Sequence, residues 1–304
     1  MKRRVIVILN AGSGVDGNDA ERAERIAALF AVAGADAEVE LARHGSELAR
    51  LIEAAIARRP DVIVAGGGDG SVSCVAAALA GGTIALGVLP LGTLNHFAKD
   101  LGIPVDLADA VAVVAEGRIG RVDVGEVNGR VFVNNSSLGL YPDIVRDRER
   151  QQKRLGRGKW PALLWATISA LRRYPFLGVS LVVDGKAVSR RTPFVFIGNN
   201  EYLMEGFAIG ERSGMENGLL SLYVAQRPGR LRLLLLALRA FVGRLRQARD
   251  FDAMLATEIA VQSRHRRLRV ATDGEVTVMT PPLAYRIRPA SLLVVRPPAR
   301  NETT

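Results

Sequence analysis

Residues 61–73 read DVIVAGGGDGSVS. Val62 to Ala65 form a short apolar run rich in β-branched residues, the pattern of a strand covered on both faces. The spacing predicts that this strand spans residues 61–65, that four turn-forming residues follow, and that a helix runs from Ser71 to Leu79. Glycine tolerates positive φ and lets backbone N–H groups approach a ligand closely. Successive amides in such a turn, backed by the positive end of a helix, attract an anion such as phosphate. A carboxylate inside that nest repels phosphate unless a cation stands between them, so Asp69 implies Mg²⁺ bridging carboxylate and phosphate oxygens. The plainer alternative makes Asp69 a helix N-cap in a tight turn. It accounts for one glycine and leaves the others of Gly66, Gly67, Gly68 and Gly70 unexplained.

The same alternation extends to either side. RVIVIL (4–9), Ala37 to Leu41 and Ile84 to Leu89 read as further strands. Between them lie a helix after Asn18, ending near Gly34, and a helix capped by Ser46 and stopped before Pro60. Asn18 and Glu21 have the spacing of a capping box. Helices over Leu94–Asp100 and Leu107–Ala115 complete the pattern, which predicts a parallel sheet with helices on both faces. Ligands of such sheets bind at the strand C-ends. Two more loops there are candidates, Asn10-Ala-Gly-Ser-Gly14 and Pro90-Leu-Gly-Thr-Leu-Asn95.

Near residue 121 the pattern becomes antiparallel β. Asn128-Gly129 and Asp184-Gly185 supply the positive φ of tight hairpins. FVFIG, LLSLYVA, EIAVQS, LRVAT, VTVM, YRIR and SLLVV add strands. The fold class expected is an α/β N-terminal three-layer domain with a parallel sheet, followed by a mainly antiparallel β-sandwich. The boundaries are 1–122, 123–290 and a C-terminal segment 291–304 that returns to the first domain.

Composition narrows the function classes. The chain has 304 residues, 48% hydrophobic and 24% charged, as in folded soluble proteins. Its single cysteine, Cys74, excludes an internal disulfide or a multi-cysteine metal site, and 5% aromatics disfavour a stacking platform for single strands. No apolar run reaches transmembrane length. The net charge of +10 is unevenly placed: residues 146–173 carry +7, 227–249 carry +7 and 264–269 carry +4. The first two stretches interleave bases with Leu, Phe, Trp160 and Trp165, a composition suited to an anionic membrane interface. A core helix with a solvated arginine face is the competing explanation for each. Nucleic acid is not the expected partner, because no base-reading motif accompanies the charge.

Gly12-Ser-Gly-Val-Asp-Gly17 also matches G-x-G-x-x-G, with Glu38 and Glu40 about twenty residues on, the dinucleotide-binding pattern. Against it, the following helix starts at the Asn18 cap, after the last glycine, and the 66–71 loop stays unexplained. NAGSG, GGGDGS, LPLGTLNHFAKDLGIP, VDVG and ATDGE, in that order along nearly the whole chain, resemble the diacylglycerol kinase catalytic-domain family. That family includes bacterial soluble lipid kinases and sphingosine kinases. The resemblance implies an α/β nucleotide domain, a β-sandwich domain, and ATP with Mg²⁺ as cofactors. It implies that Asn10, Ala11, Gly12, Ser13 and Gly14, and Gly67, Gly68, Asp69, Gly70, Ser71, Val72 and Ser73, cradle the ATP phosphates. Thr93 and Asn95 then serve the nucleotide, and Asp69 belongs to the magnesium network. Asp273 and Glu275 resemble the catalytic pair, Glu275 as proton acceptor, and Asp123 a supporting acid. Some relatives hold a structural metal through an aspartate in D-G-x-L. The matching string here is Asn217-Gly-Leu-Leu220, so Gly214, Asn217 and Leu219 offer only neutral oxygens. Ser73-Cys74 replaces the family's Asn-Glu, and Leu41 stands where some relatives have a nucleotide-contacting threonine.

The implied activity is transfer of the ATP γ-phosphoryl group to a diacylglycerol-like or sphingoid-like hydroxyl, which needs mainly positioning and charge neutralisation. The expected partners are a lipid substrate and an anionic membrane surface, with a homodimer allowed, and the expected location is cytoplasmic and peripheral to the membrane. Alternatives are a soluble NAD kinase-like enzyme, which shares GGDG, and a non-catalytic nucleotide-binding regulator at the membrane.

Overall fold

The computed structural model describes residues 2–11, 18–139, 177–203, 211–225 and 251–298. In chain order the elements are β1 (Arg4–Asn10), α1 (Asp19–Val32), β2 (Asp36–Ala42), α2 (Gly45–Ala57), β3 (Val62–Gly67), α3 (Asp69–Leu79) and β4 (Ala85–Pro90). They continue with α4 (His96–Asp100), α5 (Leu107–Glu116), β5 (Arg118–Val127), β6 (Arg130–Phe132) and β7 (Asn135–Gly139). Next come β8 (Leu177–Val183), β9 (Lys186–Thr192), β10 (Phe194–Asn199), β11 (Tyr202–Leu203), β12 (Glu211–Arg212) and β13 (Leu220–Ala225). The chain ends with β14 (Phe251–Ala256), β15 (Glu258–Ser263), β16 (Leu268–Thr272), β17 (Glu275–Met279) and β18 (Leu283–Arg296).

Two compact units result, one reaching Val124 and resuming at Pro289, the other running from Gly125 to Arg288. In the first unit, β2, β1, β3 and β4 lie side by side and parallel, and the end of β18 joins β4 in parallel through Val294 and Leu86. Every residue of β3 and β4 is buried, as their unbroken apolar sequence requires. Helix α1 packs with α5, and α2 with α3. Asn18 caps α1, its Oδ1 accepting from Glu21 N–H at 3.4 Å. Glu21 does not reach back to the backbone: its carboxylate accepts from the Asn18 amide at 3.0 Å. Helix α2 starts earlier than expected, at Gly45 after His44, with no side-chain cap, so Ser46 lies inside its first turn. Asp106 caps α5 through the Ala108 and Asp109 amides at 2.8 and 3.1 Å. At the other end of α5, the Arg3 guanidinium donates to the Val114 and Gly117 carbonyls, a cation at the negative helix terminus.

The second unit places a six-stranded antiparallel sheet, ordered β14-β13-β10-β7-β16-β17, over strands β15, β8 and β9 and the start of β18. Leu138, Ile197, Leu222 and Val270 from the first sheet meet Leu181, Val261 and Tyr285 from the second in one buried core. Burial raises the Tyr285 phenol pKa, and its hydrogen bond with Ser136 at 3.1 Å offsets part of that rise. Asn128-Gly129, Asp184-Gly185 and Asp273-Gly274 all have positive φ at both positions, the geometry two-residue hairpins demand. Among the described residues no helix is long and apolar enough to cross a membrane. The basic apolar stretches at 146–173 and 227–249 lie outside the described residues.

Candidate active site

Within the first unit the glycine run does not form a turn of four. Gly66 and Gly67 stay in β3, paired with Leu89 and Pro90 of β4, and only Gly68 separates strand from helix. Gly68 is the N-cap of α3 and has no side chain with which to cap it. Its carbonyl accepts from the Ser71 and Val72 amides at 3.0 and 3.2 Å. The Asp69 and Gly70 amides, at the positive end of the helix, have no intrahelical acceptor.

Asp69 opens this helix half-buried, and its Oδ1 is enclosed without a hydrogen-bond partner. A buried carboxylate oxygen left unpaired destabilises a fold unless something binds it. That oxygen would be one ligand of a divalent cation such as Mg²⁺, which proteins commonly hold through one or two carboxylates with substrate phosphates and water, and the two helix-terminal amides would donate to phosphate oxygens. Ser73 Oγ, one turn further, is also buried and unpartnered.

Neighbouring loops are drawn against this junction. Asn10 at the end of β1 donates to Ser71 Oγ at 2.9 Å. The Ala11 amide is engaged with the Ala42 carbonyl at 2.8 Å. The 90–95 loop passes so close that a β-carbon on Gly92 would lie 2.5 Å from Gly68 Cα and 2.8 Å from Asn95 Oδ1. Asn95 is buried at φ 51°; its Oδ1 accepts from Gly92 N–H at 3.0 Å and its amide donates to the Pro90 and Gly92 carbonyls at 3.1 and 2.9 Å. Its side chain therefore clasps the loop, whereas Thr93 is exposed at its tip. The helix that was expected to start at Leu94 starts at His96, because Asn95 is left-handed. Val72 is buried in the core. Gly12, Ser13 and Gly14 lie outside the described residues. Asp123, 2% exposed, accepts from the Ala290 amide at 2.8 Å and so anchors a left-handed residue of β18.

In the second unit Asp273 and Glu275 flank the β16–β17 turn. The Asp273 carboxylate accepts from three successive amides, Val133, Asn134 and Asn135, at 2.8, 2.8 and 3.0 Å. On the carbonyl side of that loop, Arg212 donates to the Val133 carbonyl at 2.7 Å and to Asn134 Oδ1 at 3.0 Å. Asn199 and the Tyr202 hydroxyl bind the Val133 and Asn134 carbonyls at 2.9 and 3.0 Å. None of Asn134, Asn199, Tyr202 or Arg212 was singled out from sequence; they belong to no local string. Glu275 is 55% exposed in its side chain and holds an ion pair of 2.6 Å with Arg130.

At the expected structural metal loop, Asn200 takes the central place. Its Oδ1 accepts from the Asn217 amide at 2.9 Å and its own amide donates to the Leu219 carbonyl at 3.0 Å. Gly214 lies beside the Asn217 side chain. Among the described residues no group of three His, Cys, Asp or Glu could hold a metal ion. The three neutral oxygens of this loop, one already accepting, do not fit a divalent cation that favours carboxylates.

Comparison with known proteins places the chain among the phosphotransferases. The family model of the diacylglycerol kinase catalytic domain matches residues 4–127, and that of the YegS C-terminal NAD kinase beta sandwich-like domain matches residues 144–296. A diacylglycerol kinase of Mycobacterium tuberculosis is 30% identical over 255 residues, covering 81% of this chain and 80% of that one. A Klebsiella pneumoniae protein described as "Probable lipid kinase YegS-like" is 37% identical over 123 residues, covering 40% of this chain and 41% of its own. The crystal structure of a diacylglycerol kinase from Bacillus anthracis has the same fold, with a TM-score of 0.72 at 20% identity over 98% of both chains. The chain belongs to the diacylglycerol kinase family and is a lipid kinase by membership.

Proposed function

We propose that the protein transfers the γ-phosphoryl group of ATP to the hydroxyl of a diacylglycerol-like or sphingoid-like lipid at a membrane surface. The observation that carries this reading is the enclosed, unpartnered Asp69 oxygen at the start of α3. Bound there, Mg²⁺ would neutralise charge on the phosphate oxygens. The chain's own contribution is positional. The Asp69 and Gly70 amides orient phosphate oxygens at the helix terminus, and the close Gly68–Gly92 approach keeps side chains out of that space. Glu275 accepts the proton of the lipid hydroxyl as the new P–O bond forms. Asp273 keeps the turn that carries Glu275 in shape through its three amides.

Radiolabelled ATP offered with mixed diacylglycerol–phosphatidylglycerol vesicles, with sphingosine, or with NAD tests the acceptor. Phosphorylated lipid is expected, and labelled NADP alone would overturn the reading. Asp69→Ala removes an unpaired buried oxygen, so its melting temperature stays level or rises while transfer falls by at least about a hundredfold. Glu275→Gln is expected to fold normally and to lose transfer to a similar extent. Near-native turnover in either variant removes that residue from its role.

A further inference from the structure

The strand registers of the second unit bring Arg190, Arg191, Arg264, Arg266, Arg267 and Arg269 to one end. Ser263 pairs with Val179, Gly178 with Arg191 and Leu177 with Thr192. Thr192 leads through Pro193 into Phe194, which pairs with Gly139. Ala225 pairs with Phe251, and Arg190 reaches Asp252 at 3.4 Å. Leu268 and Met279 close the β16–β17 hairpin at the same end. The link from β15 to β16 is Arg264-His-Arg-Arg267, and all four side chains are exposed. Arg264, Arg266 and Arg267 make no ion pair among the described residues. Among the described residues Asp252 is the one acid that these registers place here, and Arg190 already pairs with it. Val278, 61% exposed, stands opposite Arg269 beside this link. The chain leaves the described structure at Gly139 and Ala225 and resumes at Leu177 and Phe251, all at this end. The intervening sequence contains the two basic apolar stretches with Trp160 and Trp165.

From this juxtaposition we infer that the Arg264–Arg267 end of the second unit is the surface that meets an anionic lipid bilayer. The inference deepens the membrane-surface reading above and rests on it. Unpaired, exposed guanidinium groups next to the exposed Val278 suit a charged interface with an apolar interior behind it. Nucleic acid would be served by the charge alone and gives no use to Val278 or to tryptophan in the adjoining sequence. The DGE turn lies at the far end of β16, about 13 Å away at the rise of a five-residue strand. Charge reversal at the arginine link therefore leaves the phosphoryl-transfer groups intact.

The test compares three proteins: the natural chain, Arg264→Glu/Arg266→Glu/Arg267→Glu, and a control with the same change in net charge on the first unit, Arg25→Glu/Arg50→Glu/Arg118→Glu. Each is sedimented with vesicles of equal phosphatidylglycerol and phosphatidylcholine, and with phosphatidylcholine alone. Each is also assayed on a short-chain diacylglycerol dispersed as monomers. The 264–267 variant is expected to lose vesicle partitioning by about a hundredfold or more, from roughly a fivefold loss per basic residue. The control keeps its partitioning, and turnover of monomeric substrate is the same in all three. Unchanged partitioning of the 264–267 variant, or equal loss in the control, overturns the inference. So does a natural chain that binds transfer RNA through these arginines and ignores phosphatidylglycerol. If no lipid is phosphorylated while vesicle binding still depends on Arg264–Arg267, the activity reading fails and the surface stands.

Discussion

Asp273 sits at φ 49° and its carboxylate faces three amides that are 138 to 140 residues earlier in the chain. Removing it leaves those donors without their charged acceptor. Asp273→Ala should cost about 2–4 kcal/mol of stability, and Asp273→Asn less, measured by urea unfolding. Asp69→Ala leaves stability level or raises it, so the two aspartates separate in the same measurement. The sequence marked both residues, because Asp-Gly-Glu and Gly-Asp-Gly are short strings. It did not show what each does. The partners of Asp273 lie in a distant loop, and Asn134, Asn199, Tyr202 and Arg212, which hold the other side of that loop, carry no local pattern at all. Asn95 is the converse case. The family resemblance has it serve a nucleotide, and its three hydrogen bonds fix the backbone that surrounds it, a role that no local string announces.

At the level of elements, the strand–helix alternation and the Asn-Gly and Asp-Gly hairpins were legible because period and turn chemistry are local properties. The end of β3 was not. Three glycines in succession look like a turn, yet ladder partners on both sides keep Gly66 in the sheet, opposite Leu9 and Leu89. The glycines serve close approach more than turning. Gly92→Ala tests this: its β-carbon would stand 2.5 Å from Gly68 Cα, so one loop must shift. The expected result is a loss of about 1–3 kcal/mol in thermal or urea unfolding, with KM for ATP raised several-fold while KM for lipid holds. An unchanged KM for ATP would mean that the junction tolerates displacement and does not grip phosphate there.

For the molecule as a whole, the first unit is not contiguous in sequence. Chain from Pro289 onward belongs with the residues up to Val124, and β5 and β18 each run from one unit into the other. Leu292, Val294 and Val295 are fully buried, Val294 pairs with Leu86, and the Ser291 carbonyl accepts from the Gly81 amide at 2.6 Å. Each such aliphatic side chain contributes about 1.5–3 kcal/mol by burial, so the three supply roughly 4.5–9 kcal/mol. That is comparable with the net stability of an entire domain, about 5–15 kcal/mol. A chain ending at Arg288 should therefore lose cooperative melting of the first unit and with it nucleotide binding. A chain ending at Pro298 should melt with the full-length protein, since every described contact of β18 is retained. Calorimetry with and without ATP distinguishes these outcomes, and a two-transition melt surviving truncation at Arg288 would show that β1 to β5 fold without the returning strand.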